Sequence, residues 1–163
     1  MQIVPMQERH IPALVALENA CFSQPWTAAG FAEELDNPLA VFLVAEQGGE
    51  AVGYLGFLAV LDEADITNVA VSPTHRRQGV AAALVTAAQE ECRRRGIRRL
   101  GLEVRESNVA AIRLYERFGF VQDGKRPRFY SAPVEDALLY SWINQNLPPQ
   151  EGCYEDSSLL IVV

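Results

Sequence analysis

Residues 68–82 limit the possible folds of this chain more than any other stretch. The apolar run Asn68-Val69-Ala70-Val71 leads through Ser72-Pro73 into Arg76-Arg77-Gln78-Gly79-Val80-Ala81-Ala82, which opens the longest amphipathic segment of the sequence. Val80, Leu84, Val85, Ala88 and Cys92 recur at helical spacing, and Gly96 is placed to stop the helix, so a helix is predicted over about 77–95. The first N–H groups of a helix have no internal partner and the dipole adds partial positive charge, so this end suits phosphate oxygens. Small residues there let a ligand approach the backbone. Neither G-x-G-x-x-G nor Gly-Lys-Ser/Thr is present, which argues against a dinucleotide and against ATP hydrolysis.

Around this junction the segments alternate in type. A short strand over residues 2–6 precedes a helix over 8–20 with Ile11, Leu14, Val15 and Leu17 on one face, and Thr27 is placed to cap a second helix ending at Asn37-Pro38. Strands are expected over 39–45, 51–61 and 65–71, with short connections that favour antiparallel neighbours. After the long helix come a strand over 99–104, a helix from Asn108 to Gly119, and strands over 120–123 and 136–143. Hairpins first and helical crossovers later predict an α/β (α+β) fold: a mixed, mostly antiparallel sheet of about seven strands with helices on both faces. Pro148-Pro149 ends the predicted domain, so residues 1–147 are expected to form one unit and 148–163 a tail. The run Leu159-Leu160-Ile161-Val162-Val163 is expected to add to a sheet edge.

A chain of 163 residues buries enough surface for a core without metal or disulfide staples. Fourteen basic against twenty-one acidic residues give a net charge of −7, which disfavours direct nucleic-acid binding and favours basic partners. The three cysteines match no zinc or redox spacing, and His10 and His75 have no partner at ligand spacing, so no metal is expected. The first twenty residues hold no apolar signal core and no segment is long enough to span a membrane, so a cytoplasmic protein is expected.

Arg76-Arg77-Gln78-Gly79-Val80-Ala81 resembles the R/Q-x-x-G-x-G/A signature of the GNAT acetyltransferase superfamily, and its place between an apolar strand and a long helix is similar too. Leu61-Asp62-Glu63-Ala64, Asn68-Val69-Ala70-Val71, Leu102-Glu103-Val104-Arg105, Ser107-Asn108, Leu114-Tyr115-Glu116 and Phe118-Gly119-Phe120 resemble the bacterial ribosomal-protein-alanine N-acetyltransferases. The resemblance covers about residues 2–143. It implies acetyl-CoA as co-substrate and, as acceptor, the N-terminal alanine within the basic N-terminal segment of the eighteenth small-subunit ribosomal protein. It also implies that Val69, Ala70 and Val71 hold the acetyl and pantetheine end. Arg77, Gln78, Gly79, Val80, Ala81 and Ala82 would hold the phosphates, and Asn108 would contact the cofactor. Glu103 matches the general base, Tyr115 the general acid, and Phe22, Trp26 and Tyr130 the acceptor groove, although Ser23 and Gln24 lengthen the segment between Phe22 and Pro25.

The residue types suit that chemistry. An α-amino group has a pKa of about 7.7 to 8.0, so a carboxylate acting directly or through a water suffices to take its proton and to hold the ammonium form. A departing thiolate, with a pKa near ~8.5, accepts a proton from a well-placed phenol of about 10. Each residue also has a plainer reading: Glu103 as a solvated strand glutamate, Tyr115 as core, Asn108 as an N-cap. A lysine, polyamine or antibiotic acceptor, or a non-catalytic acyl-CoA-binding module, are the competing functions.

Overall fold

Residues 1–148, which the computed structural model describes, form seven strands and four helices. They run β1 (Gln2–Pro5), α1 (Ile11–Cys21), α2 (Ala28–Leu35), β2 (Ala40–Gln47), β3 (Glu50–Val60), β4 (Glu63–Val71), α3 (Val80–Arg95), β5 (Arg99–Arg105), α4 (Val109–Arg117), β6 (Val121–Ser131) and β7 (Val134–Ile143). One sheet has the order β1-β2-β3-β4-β5-β7-β6. The two-residue connections around Gly48 and Asp62 leave β2, β3 and β4 no choice but antiparallel pairing, whereas the α3 crossover lets β5 return parallel to β4. The expected tail, with its C-terminal strand, lies outside the described residues.

Each face of the sheet is covered by the helical stripe that the sequence offers it. Val80, Leu84, Val85, Ala88 and Cys92 of α3 pack with Leu55, Leu100, Leu102 and Val104 on one side. On the other, Leu14 and Leu17 of α1 and Phe31 of α2 pack on Phe42, Val44 and Tyr54. Full burial of one such side chain is worth roughly 1.5–3 kcal/mol, so these two clusters carry the fold. α2 is short and depends on its cap: the Thr27 hydroxyl accepts the Gly30 amide at 3.1 Å. Thr27→Ala is therefore expected to cost about 1 kcal/mol and to lower the midpoint of thermal unfolding by about 2–4 °C in a calorimetric scan.

Two boundaries differ from the sequence expectation. α3 begins at Val80 and not at Arg77, because Arg77 (φ +58°) and Gly79 (φ +80°) both adopt left-handed backbone. β6 continues to Ser131 where a strand ending near Asp123 was expected. Its outer half, Gly124-Lys125-Arg126-Pro127-Arg128, is polar and holds a proline, which an edge strand tolerates, and its ladder to β7 is broken between Arg126 and Tyr130.

Candidate active site

The parallel pair at the centre of the sheet opens into a cleft. β4 and β5 are in register only at Glu63–Arg99, Ala64–Leu100 and Asp65–Gly101. Beyond that the strands diverge, and one extra residue on β4, Thr67, forms a bulge opposite Gly56–Phe57 of β3. The Ser72 amide donates to Val52 O, so hydrogen-bonded pairs between β3 and β4 alternate back through Ala70 and Asn68. Val69 and Val71 consequently turn their N–H groups to the side that β5 has left. Ala70, 4 % exposed, directs its amide to β3 and its methyl to the core.

A cavity of about 390 Å³ occupies this opening. Val69, Glu103, Asn108 and Tyr115 line it, and Phe22, Trp26 and Tyr130 close it from the side of the α1–α2 loop and the β6–β7 hairpin. Seven of the residues singled out in the sequence thus meet in one space. Strand alternation explains Glu103, since Leu102 and Val104 point into the core beneath α3 and the intervening residue faces the other way. Asn108 serves first as the cap of α4, its Oδ1 accepting the Ala111 amide at 3.2 Å, which leaves its amide nitrogen to the cleft. Tyr115 sets its ring against Phe120, 5.5 Å between centroids and tilted by 58°. Burial pushes its phenol up to about 12, so it carries its proton throughout the neutral range.

The stretch from Arg77 to Ala82 lies apart from this cavity, at the end of β4. No side chain caps α3, and its first inward backbone bond is Ala83 N to Gly79 O, so the Val80, Ala81 and Ala82 amides are unpaired among the described residues. A Cβ built on Gly79 would meet nothing within 4 Å, so the glycine serves its left-handed backbone and not a tight contact. Left-handed backbone at Arg77 and Gly79 is of the kind that curves successive amides into an anion nest. This cradle of donors fits a diphosphate. Val80 contributes only its amide, because its side chain, 2 % exposed, belongs to the core.

Sequence reasoning missed three residues. Glu18 of α1, 2 % exposed, lines the cavity, accepts the Trp26 amide at 2.9 Å and takes a further hydrogen bond from the Tyr54 hydroxyl. Burial, reinforced by that contact, holds the Tyr54 phenol far above its ordinary value. Asn68, with its side-chain amide turned so that oxygen and nitrogen each meet a complementary partner, accepts the Trp26 indole N–H at 3.2 Å. Together they fix Trp26 against the bulge of β4. A carboxylate inside the stripe of Leu14 and Leu17 was the available signal for Glu18. Arg126, the third, stands 3.5 Å from Glu103 on a strand segment that the sequence pattern concealed.

A splayed parallel pair, an amide cradle at the following helix and a glutamate and a tyrosine in the opening together match the resemblance read from the sequence. The family described as Acetyltransferase (GNAT) family matches residues 11–120. The chain belongs to the GNAT acetyltransferase family. Relatives of this GNAT enzyme include the [ribosomal protein bS18]-alanine N-acetyltransferase of Escherichia coli K12, 34 % identical over 84 % of this chain and 93 % of that protein. A Bacillus subtilis protein described as a candidate enzyme of the same name is 40 % identical over 86 % of this chain and 93 % of its own. The crystal structure of the Escherichia coli ribosomal-protein-S18-alanine N-acetyltransferase superposes with a TM-score of 0.79, covering 90 % of this chain and 98 % of that one at 32 % identity. Among the described residues no group of three or more His, Cys, Asp or Glu would hold a metal ion, and no helix is long and apolar enough to cross a membrane.

Proposed function

We propose that this acetyltransferase acetylates the N-terminal alanine of ribosomal protein bS18, with residues 1–147 as the acting domain. The observation that carries the reading is the convergence of Glu103 and Tyr115 on one cavity, opened where β4 leaves β5. The relatives named above are, by their names, alanine N-acetyltransferases of that ribosomal protein, and a net charge of −7 attracts a basic segment to this protein.

Acetyl-CoA, when bound, supplies an activated acetyl thioester. The amides of Arg77 to Ala82 and the Asn108 side chain hold and orient the cofactor, the outward amide of Val69 donates to the carbonyl oxygen as negative charge develops on it, and that of Val71, one step nearer the cradle, holds the pantetheine arm. Glu103 holds the acceptor's ammonium and takes a proton from it, directly or through a water, which frees the nitrogen lone pair for attack. As the new N–C bond forms and the C–S bond breaks, Tyr115 gives its proton to sulfur. The second proton of the amine restores the phenol through solvent. Phe22, Trp26 and Tyr130 enclose the first acceptor residue. No acyl-enzyme is needed, since the amine attacks the thioester directly; of the serine and threonine hydroxyls lining the cleft, Ser23 is on the exposed loop and Thr67 donates to Gly56 O at 3.3 Å.

The test is a comparison of acceptors. An alanine-starting peptide with the basic sequence of the bS18 terminus should gain 42 Da at its α-amine and release thiol stoichiometrically. The same peptide blocked at its N-terminus but keeping its lysines should gain nothing. Acetylation of the blocked peptide or of spermidine at a comparable rate would reject the assignment in favour of another amine.

A further inference from the structure

Glu103 has a resident cation. Among the described residues, its carboxylate has one ion-pair or hydrogen-bond partner, the guanidinium of Arg126 on β6, with Nη1 3.5 Å from Oε1. Reading Glu103 as the anchor for the acceptor's ammonium leaves both cations competing for the same oxygen atoms. We propose that Arg126 holds that position in the free enzyme and that acceptor binding exchanges it for the incoming α-ammonium. The inference rests on the acceptor reading given above.

Three observations support an exchange and not a fixed clamp. The contact is single and long against the ~2.7–2.9 Å of a strong charge-assisted bond, and the two side chains are 57 % and 36 % exposed. An exposed pair of that kind contributes a factor of about five at most. Arg126 also stands where the ladder to β7 lapses: Arg126 pairs with Ala137 and Tyr130 with Glu135, so three residues on β6 face one on β7. The guanidinium can therefore swing without breaking a continuous row of backbone bonds. Finally, Glu103 divides two cavities. Arg126 lines the smaller one, about 190 Å³, together with Asp65 and Arg99, whereas Tyr130 at the far end of the same bulge lines the larger. On the side away from the acceptor the displaced guanidinium meets the Asp65 carboxylate, which it would share with Arg99, 3.4 Å from that group.

The exchange has a chemical consequence. A neutral molecule cannot replace Arg126 at Glu103, so the resident cation biases the cleft toward protonated amines over water and other neutral nucleophiles. Arg126 acts through Glu103 and is a positioning residue.

Calorimetric titration of the alanine-starting basic peptide into enzyme saturated with coenzyme A tests this in four proteins: wild type, Arg126→Ala, Glu103→Gln and the double variant. Arg126→Ala should tighten peptide binding about two- to five-fold, and the gain should vanish in the Glu103→Gln background, where no anion remains to be contested. Coenzyme A affinity should stay the same in all four, and Arg126→Lys should stay near wild type. Weaker or unchanged peptide binding in Arg126→Ala, or a gain of equal size without Glu103, overturns the proposal. Repeating the series with alanine amide keeps the Arg126 test in force if the ribosomal peptide proves not to be the acceptor. A wild type that binds neither titrant overturns both readings.

Discussion

Glu103→Gln is expected to lower turnover about 10²- to 10³-fold while coenzyme A binds at wild-type strength. The substitution keeps the side chain's size and removes its charge and basicity. Glu103 is on the exposed face of β5, and the core contacts of that strand come from Leu102 and Val104, each 5 % exposed. The fold should be unaffected, with a thermal midpoint within about 1 °C of wild type. The α3 amides that would hold the diphosphate belong to a different element and do not touch it. Loss of rate with retained cofactor affinity is therefore the signature of an acceptor-side base, read by thiol release and by calorimetry with coenzyme A. Near-normal turnover would remove Glu103 from the chemistry.

How much of this was visible in the sequence follows from what each feature depends on. α1, α3 and the central strands are set by local periodicity, and their apolar stripes already name the residues that meet in the two core clusters. Glu103 could be placed on the cleft face because alternation with Leu102 and Val104 is a property of the strand itself. Asn108 was legible as the cap of α4, and the structure also sets it in the lining of the cavity. The outer half of β6 was not legible: Pro127 and its charged neighbours read as loop, and only pairing with β7 makes them a strand. Arg126 was lost with it. Glu18 and Asn68 escaped for a related reason, since their roles are contacts to Trp26 and Tyr54, which belong to segments distant in the chain. The start of α3 moved for a conformational reason: two left-handed residues unwind the first turn, and the cradle of unpaired amides comes from that departure from the helical pattern.

Removing the Tyr115 hydroxyl should produce a smaller loss and a different dependence. Tyr115→Phe keeps the ring, which is 7 % exposed and packs near Phe120, so stability should change little. Only the proton donor is lost, and turnover should fall about 10- to 100-fold with the acceptor's KM unchanged. The sign of the pH effect follows from the phenol's position. Burial favours the neutral form and pushes it up to about 12, so the acid is fully available below its ordinary value of about 10 and is lost only as pH rises toward 12. The wild-type rate should therefore show no alkaline fall attributable to Tyr115 up to about pH 10, and the Phe variant should lie below it by a constant factor across pH 7–9. In the Glu103→Gln, Tyr115→Phe double variant the two losses should not multiply. Once no base frees the amine, bond formation limits the rate and a missing donor to sulfur costs little more. A double variant slower than wild type by the full product of the two losses would instead place both residues in one rate-limiting step, each acting independently, and a Tyr115→Phe enzyme at wild-type rate would return the tyrosine to the core.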